Sequence, residues 1–376
     1  MAAYSPGLKV VGMMAVTKDR LLPLPGSVRV KGGDRVEAET VVASTQLPGN
    51  AVPLNVAQQL GCEAAEVNEY MRKKLGDAIE KGDKVAETPG LFGFFKSAVA
   101  APVAGCVESI SNVTGQMIIR ESPLFVEVKG YISGIVDEVF PGIGVRIVTP
   151  GCYIQGIFGL GGETGGPLEM AVAGPDEILD VPAIQASHAG KILVGGAMVT
   201  AEALKMCRET GVNGLIIGGM EAQDLKNILG GELGVGITGA EDIGITLILT
   251  EGFGRVRMAE RTFSLLKHHA GKRASLNGAT QIRAGVIRPE IIIPLENAVG
   301  TSKQIPARDM NKSMSIGSPV RVIRQPHFGE IARVVGLPVQ PVVIATEALV
   351  RVVEIQLTAN GETLVVPRAN VELIEE

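Results

Sequence analysis

The chain has 376 residues and a formal charge of −5, which argues against non-specific binding of nucleic acid by the whole chain. Apolar residues make up 46% but aromatics only 3%, with no Trp, so the cores must be built from Val, Ile, Leu, Ala and Met. Gly, Pro or charge interrupts every apolar stretch before about 18 residues, which excludes a membrane-spanning helix.

The length fits several domains, each large enough to bury its own core. A mean hydropathy of +0.28 leaves apolar surface that a subunit interface would cover, so a homo-oligomer is expected. The start, Met1-Ala2-Ala3-Tyr4-Ser5-Pro6, lacks the basic and apolar regions of a secretory signal, and a cytoplasmic protein is expected. Cys62, Cys106, Cys152 and Cys207 form no C-x-x-C pair, and four His complete no zinc pattern. No metal site and no recognisable cofactor motif follow from them.

In chain order, residues 21–46 read as short strands and turns. The phrase Gly33-Asp34-Arg35-Val36 recurs as Gly82-Asp83-Lys84-Val85. Between the copies, Asn55 is suited to cap a short helix, and residues 63–74 have helix-forming composition. Two strand–turn–strand units follow, one around Ala101-Pro102-Val103-Ala104-Gly105 and one around Tyr131-Ile132-Ser133-Gly134. Similar units close together point to internal pseudo-symmetry in a sandwich or barrel.

The combination of Gly82-Asp83-Lys84-Val85-Ala86 with Ala101-Pro102-Val103-Ala104-Gly105-Cys106-Val107 resembles the barrel-sandwich hybrid fold. Lipoyl and biotinyl carrier domains have that fold, as does the N-terminal part of the Rnf electron-transport C subunit. The resemblance implies a fold for residues 21–150 and leaves activity open. Lys96 sits too close to Pro102 for a carrier lysine and reads as an ordinary surface Lys.

From about residue 176 the pattern changes to strand, glycine, helix, three times over. Lys191-Ile192-Leu193-Val194-Gly195-Gly196 precedes a helix at 200–209 capped by Thr200. Gly214-Leu215-Ile216-Ile217-Gly218-Gly219 precedes a helix at 221–229, and Thr246-Leu247-Ile248-Leu249-Thr250 precedes one at 256–269. This is the signature of a small parallel sheet. The glycine-rich run 156–166 ahead of it reads as flexible turns.

After Lys312 the chain is all-β again, with about five strands. Gly317-Ser318-Pro319-Val320-Arg321-Val322, Phe328-Gly329 and Val366-Pro367-Arg368-Ala369-Asn370-Val371-Glu372 resemble the KOW-type, SH3-like barrels of some transcription and ribosomal proteins. That module carries five Arg against seven Glu, so protein binding is expected of it ahead of RNA binding. The expected class is therefore α+β and multi-domain: barrel-sandwich-like modules over 1–175, an α/β domain over 176–312 and an SH3-like barrel over 313–376.

Candidate ligand residues cluster where a parallel sheet binds ligands, outside the carboxyl ends of its strands. Gly195, Gly196, Gly218 and Gly219 could present backbone N–H groups to an anion. The polar string from Ser275 to Gly285 offers Asn277, Gln281 and Arg283, and Glu251 ends the third strand in reach of Arg283. Close strand–helix packing explains the glycines equally well, and interstrand hydrogen bonding explains the string. No residue set names a reaction. The chain reads first as a non-catalytic assembly or scaffold protein, alternatively as an enzyme or accessory subunit binding a small anion, or as a transcription- or translation-associated factor.

Overall fold

A computed structural model describes residues 8–89, 96–229, 241–280, 287–295, 314–322, 327, 330–343, 349–358 and 360–375. Strand (47%) far exceeds helix (15%), and the buried side chains form five separate cores. The chain is thus an α+β protein built mainly of β-structure in several sheets. Among the described residues no helix is long and apolar enough to cross a membrane.

One turn occurs four times among the described residues and organises the β-modules. At Gly33-Asp34, Gly76-Asp77, Gly82-Asp83 and Gly317-Ser318 the glycine has φ between +85° and +92°, the value that the third position of a type II turn demands. The next residue closes the turn twice. Its N–H donates to the carbonyl three residues back, and its side-chain oxygen accepts from the N–H of that same residue, Lys31, Lys74, Glu80 or Ser315.

Each turn then exchanges two backbone bonds with one buried residue on, or just after, a neighbouring strand. The glycine N–H donates to the carbonyl of Val136, Val107, Ala101 or Val334, whose N–H donates back to the Asp or Ser carbonyl. Two residues after the Asp or Ser comes a buried Val36, Ile79, Val85 or Val320. The repeat expected at residues 33 and 82 is therefore a fourfold device that also opens the C-terminal module.

The helical expectations hold in part. Asn55 caps the helix Val56–Leu60 through the Gln58 N–H. Only Ala64–Glu66 and Val67–Tyr70 are helical in the next stretch. Thr200 caps Ala201–Thr210 through Ala203 N–H, and Gly211 ends that helix at φ +79°. The helix expected at 256–269 runs only from Glu260 to His268, because residues 255–259 cross the ends of the parallel strands first.

The parallel sheet has four strands where three were expected. Glu163–Met170, Ile192–Val194, Gly214–Met220 and Thr246–Phe253 run parallel in that order. Phe158–Leu160 adds an antiparallel edge. The glycine-rich run read as flexible turns is thus largely strand. Its glycines serve close contact: a Cβ on Gly159 would strike Gly278 and Pro289, and one on Gly166 the Gly190 carbonyl.

Antiparallel pairing extends this sheet through Arg273–Asn277, Glu290–Pro294, Gly144–Gln155 and Leu8–Leu21. Leu8–Leu21 then pairs in parallel with Val371–Glu375, beside the C-terminal strands Pro319–Val322, Ile331–Gly336, Val352–Leu357 and Thr363–Pro367. The short pair Val342–Val343 and Leu349–Val350 brings the described C-terminal strands to seven, where about five were expected. One face of the central strands carries Cys152, Ile154, Ala274, Leu276, Ile291 and Ile293 into the core beneath the helix Glu260–His268. By the alternation of strand side chains, the opposite face carries Tyr153, Gln155, Ser275, Asn277, Glu290 and Ile292.

Candidate functional site

The glycines at the strand ends are covered by the protein's own backbone. A Cβ on Gly196 would meet the carbonyls of Gly174 and Glu177, and one on Gly218 those of Val256 and Gly196. Gly219 lies equally close to Gly252 and Gly254, while Gly195 lies against Ile217 and Leu179. The approaching segments are hydrogen-bonded in place: Ala197 N–H donates to Glu177 O, Met258 N–H to Pro175 O, and Gly254 N–H to Met220 O. The physical reason for these glycines is therefore close backbone approach: chain fills the Cβ side of Gly196, Gly218 and Gly219.

Glu251, at the end of the last parallel strand, is 2% exposed. Its Oε1 accepts from the Ala259 N–H (3.0 Å) where the helix Glu260–His268 begins, a favourable place for a carboxylate. Its Oε2 accepts from Arg321 of the C-terminal module, which also donates to the Thr250 carbonyl (3.3 Å). The expected guanidinium for Glu251 was that of Arg283; among the described residues the one that reaches it is that of Arg321. Gln281 and Arg283 lie outside the described residues. Asn277 accepts from Ala279 N–H (2.9 Å) and shapes the local turn, and Thr280 accepts from Gly159 N–H (2.8 Å), which ties this string to the strand Phe158–Leu160.

The densest polar constellation is one the sequence does not announce. Glu290 is buried, and three donors converge on it: Tyr131 Oη on Oε1 (3.2 Å), with Tyr153 Oη (3.0 Å) and Lys18 Nζ (2.5 Å) on Oε2. Strand register builds this site. Glu163 lies opposite Asn277, Asn277 opposite Glu290, and Glu290 opposite Gln155, so the four share one row and one face. Gln155 extends the row by donating to Tyr153 Oη (3.3 Å).

Tyr131 is the one described non-glycine residue with positive φ, +68°. Such a backbone costs free energy for a bulky side chain and persists only where its surroundings over-determine it. Here they do. Its N–H donates to Ala38 O, Ser275 Oγ donates to its carbonyl (2.5 Å), and the Arg20 guanidinium lies 5.2 Å from its ring centre. Arg20 in turn holds Glu163 through two bonds of 2.7 and 2.8 Å and the Lys129 carbonyl through a third. Outside these, Glu39 accepts from Lys129 and Arg273, and the Lys129 ammonium holds the Glu39 carboxyl below its ordinary range.

Burial, followed by the nearby Glu290 charge, raises the Tyr131 hydroxyl well above the ordinary tyrosine range and raises that of Tyr153 as well. Both phenols therefore stay protonated and act as donors. The arrangement can fix a carboxylate in one orientation, and it ties the strand Leu8–Leu21 and the Tyr131 loop to the central sheet. Among the described residues no group of three or more His, Cys, Asp and Glu could hold a metal ion. No known protein family and no curated protein matches the chain.

Proposed function

We propose that this chain is a non-catalytic assembly or scaffold protein that binds itself or partner proteins. One observation carries the reading: the polar groups best placed for chemistry are spent on joining modules. Glu251, the acid at the ligand-binding end of the parallel sheet, is closed off by Ala259 and by Arg321 of the C-terminal module. In the same proposal residues 21–150 are barrel-sandwich-like modules, supported by the paired Gly-Asp turns, and residues 313–376 form an SH3-like barrel, supported by five antiparallel strands around one core. The experiment is a thermal-shift panel of nucleotides, phosphorylated metabolites, carboxylates and divalent cations. The expected result is no saturable shift, and a saturable shift overturns the reading.

A second reading is favoured by the Tyr131 backbone alone. Positive φ at a buried tyrosine is the kind of local cost that binding sites retain, and Lys18, Asn277 and Gln155 lie partly open around it. On that reading a small ligand that presents hydrogen-bond donors binds beside Glu290. A panel hit abolished by Tyr131→Phe would select it over the scaffold.

A further inference from the structure

We infer, independently of the assembly reading, that residues 50–121 form a self-contained module inserted into a second one and carried on a two-stranded neck, about which it moves as a body. Strand pairing shows the insertion. Val41–Leu47 pairs with Leu124–Lys129, with Leu47 opposite Leu124. Ala51–Asn55 pairs with Gln116–Arg120, with Ala51 opposite Arg120. The chain therefore leaves the outer module after residue 47, completes the inner one and returns at residue 124.

The inner module keeps its contacts to itself. Its core is made of buried residues between Leu54 and Ile119, and the partly buried side chains packed on that core, such as Tyr70 and Val103, lie in the same span. The core of the outer module, with Val16, Val36, Val42, Val136 and Ile147, takes nothing from residues 43–127. Among the described residues, the strand pairs, hydrogen bonds and ion pairs of residues 51–119 are all made within 51–120. Domains of about 60 residues already fold alone, so the module is large enough to do so.

The neck is thin. Between the two ladders, Glu121 N–H donates to Asn50 O (3.0 Å), Asn50 Nδ2 to Glu121 Oε2 (2.8 Å) and Arg120 Nη1 to Gly49 O (2.9 Å). Pro48 and Pro123 stand in the two segments and have no N–H to give a ladder. Gly49 lets the segments run side by side, since a Cβ there would strike the Glu121 carbonyl. Chain ends held this close are what an inserted domain requires, and relative motion is the rule for domains that share no large apolar interface. A small core of its own lets the module open without the rest.

Two measurements on the full chain test this. Hydrogen exchange read by mass spectrometry compares wild type with Val107→Ala and Val136→Ala, each valine 1% exposed in its own core. Val107→Ala is expected to speed exchange roughly tenfold or more in the strands 51–55, 105–110 and 116–120, while 134–140 and 144–155 exchange as in wild type. Val136→Ala is expected to do the reverse. Faster exchange of both sets in either variant overturns the self-contained module. Spin labels then report motion, with exposed Cys106 labelled in a Cys62→Ser background. Its partner is Val113→Cys inside the module or Ile143→Cys outside it, both at exposed positions. The expected distance distribution is narrow for the first pair and clearly broader for the second. Equal widths overturn motion about the neck.

Discussion

Arg321 and Glu251 form a buried ion pair between the C-terminal module and the carboxyl end of the parallel sheet, with side chains only 2% and 3% exposed. Two desolvated charges are tolerated because each has further partners, Thr250 O for the guanidinium and Ala259 N–H for the carboxylate. Removing one member strands the other. Arg321→Ala is expected to cost about 3–5 kcal/mol in urea unfolding. Arg321→Lys should recover only part of that, because one ammonium cannot reproduce the planar guanidinium contacts. An Arg321→Ala variant with an unchanged unfolding midpoint would contradict the pairing.

The Tyr131 hydroxyl offers a narrower probe. Tyr131→Phe leaves the ring and backbone in place but deprives Glu290 of one of three donors. The expected loss is about 1–3 kcal/mol, the cost of leaving a buried acceptor short of a partner. Tyr153→Phe should cost less than the sum when combined with it, since the two hydroxyls serve one carboxylate. Strict additivity in that double-mutant cycle would mean that the two tyrosines act separately.

Much of the α/β region was legible because its signals are local. Apolar runs ending in glycine marked three parallel strands, and Thr200 marked a helix start. The fourth strand was hidden because Gly165, Gly166 and Pro167 are poor strand formers whose place is set by packing against Gly190. The Gly-Asp turn was visible twice. Its third copy leads into Ala78-Ile79 without a Val, and its fourth replaces Asp with Ser, which keeps only the oxygen that matters. The Glu290 constellation was not legible, since its donors lie 272, 159 and 137 residues away. Glu251 was read as a ligand contact in reach of Arg283, which lies outside the described residues. Its partner Arg321 is 70 residues distant, a choice made by module docking.

The strand-end glycines separate packing from ligand binding in one comparison. Gly218→Ala places a Cβ against the Val256 and Gly196 carbonyls and the Met258 nitrogen. It should cost at least about 1–3 kcal/mol as overpacking. Gly32→Ala has open space and no positive φ, so it should be neutral or stabilising by about 0.4–1 kcal/mol. Equal melting temperatures for the two variants would refute the close-approach account.

His269 sets a pH dependence. Burial, then Lys272 and His268, depresses its pKa below the ordinary 6.5, so the folded chain disfavours the charged ring. The unfolded chain takes up the proton first as pH falls, hence this contribution is present above about 6.5 and is lost progressively below it. Melting temperature measured from pH 7.5 to 5 should fall less steeply for His269→Gln than for wild type. Parallel curves would show that His269 titrates alike in both states.

Thiol accessibility reports the folded cores. Burial pushes the Cys152 thiol up to about 12 and the Cys207 thiol up to about 11, whereas Cys106 is exposed. Alkylation of the native chain should modify Cys106 readily and leave Cys152 and Cys207 unreacted until denaturant is added. Early modification of Cys152 would place it outside the core assigned to it.

Native mass spectrometry of the untagged chain tests the assembly reading most directly, because one spectrum shows both subunit number and retained small molecules. The account predicts an integer multiple, two or more, of the 39.3 kDa chain mass with no adduct. A monomer carrying a stoichiometric small molecule would contradict it.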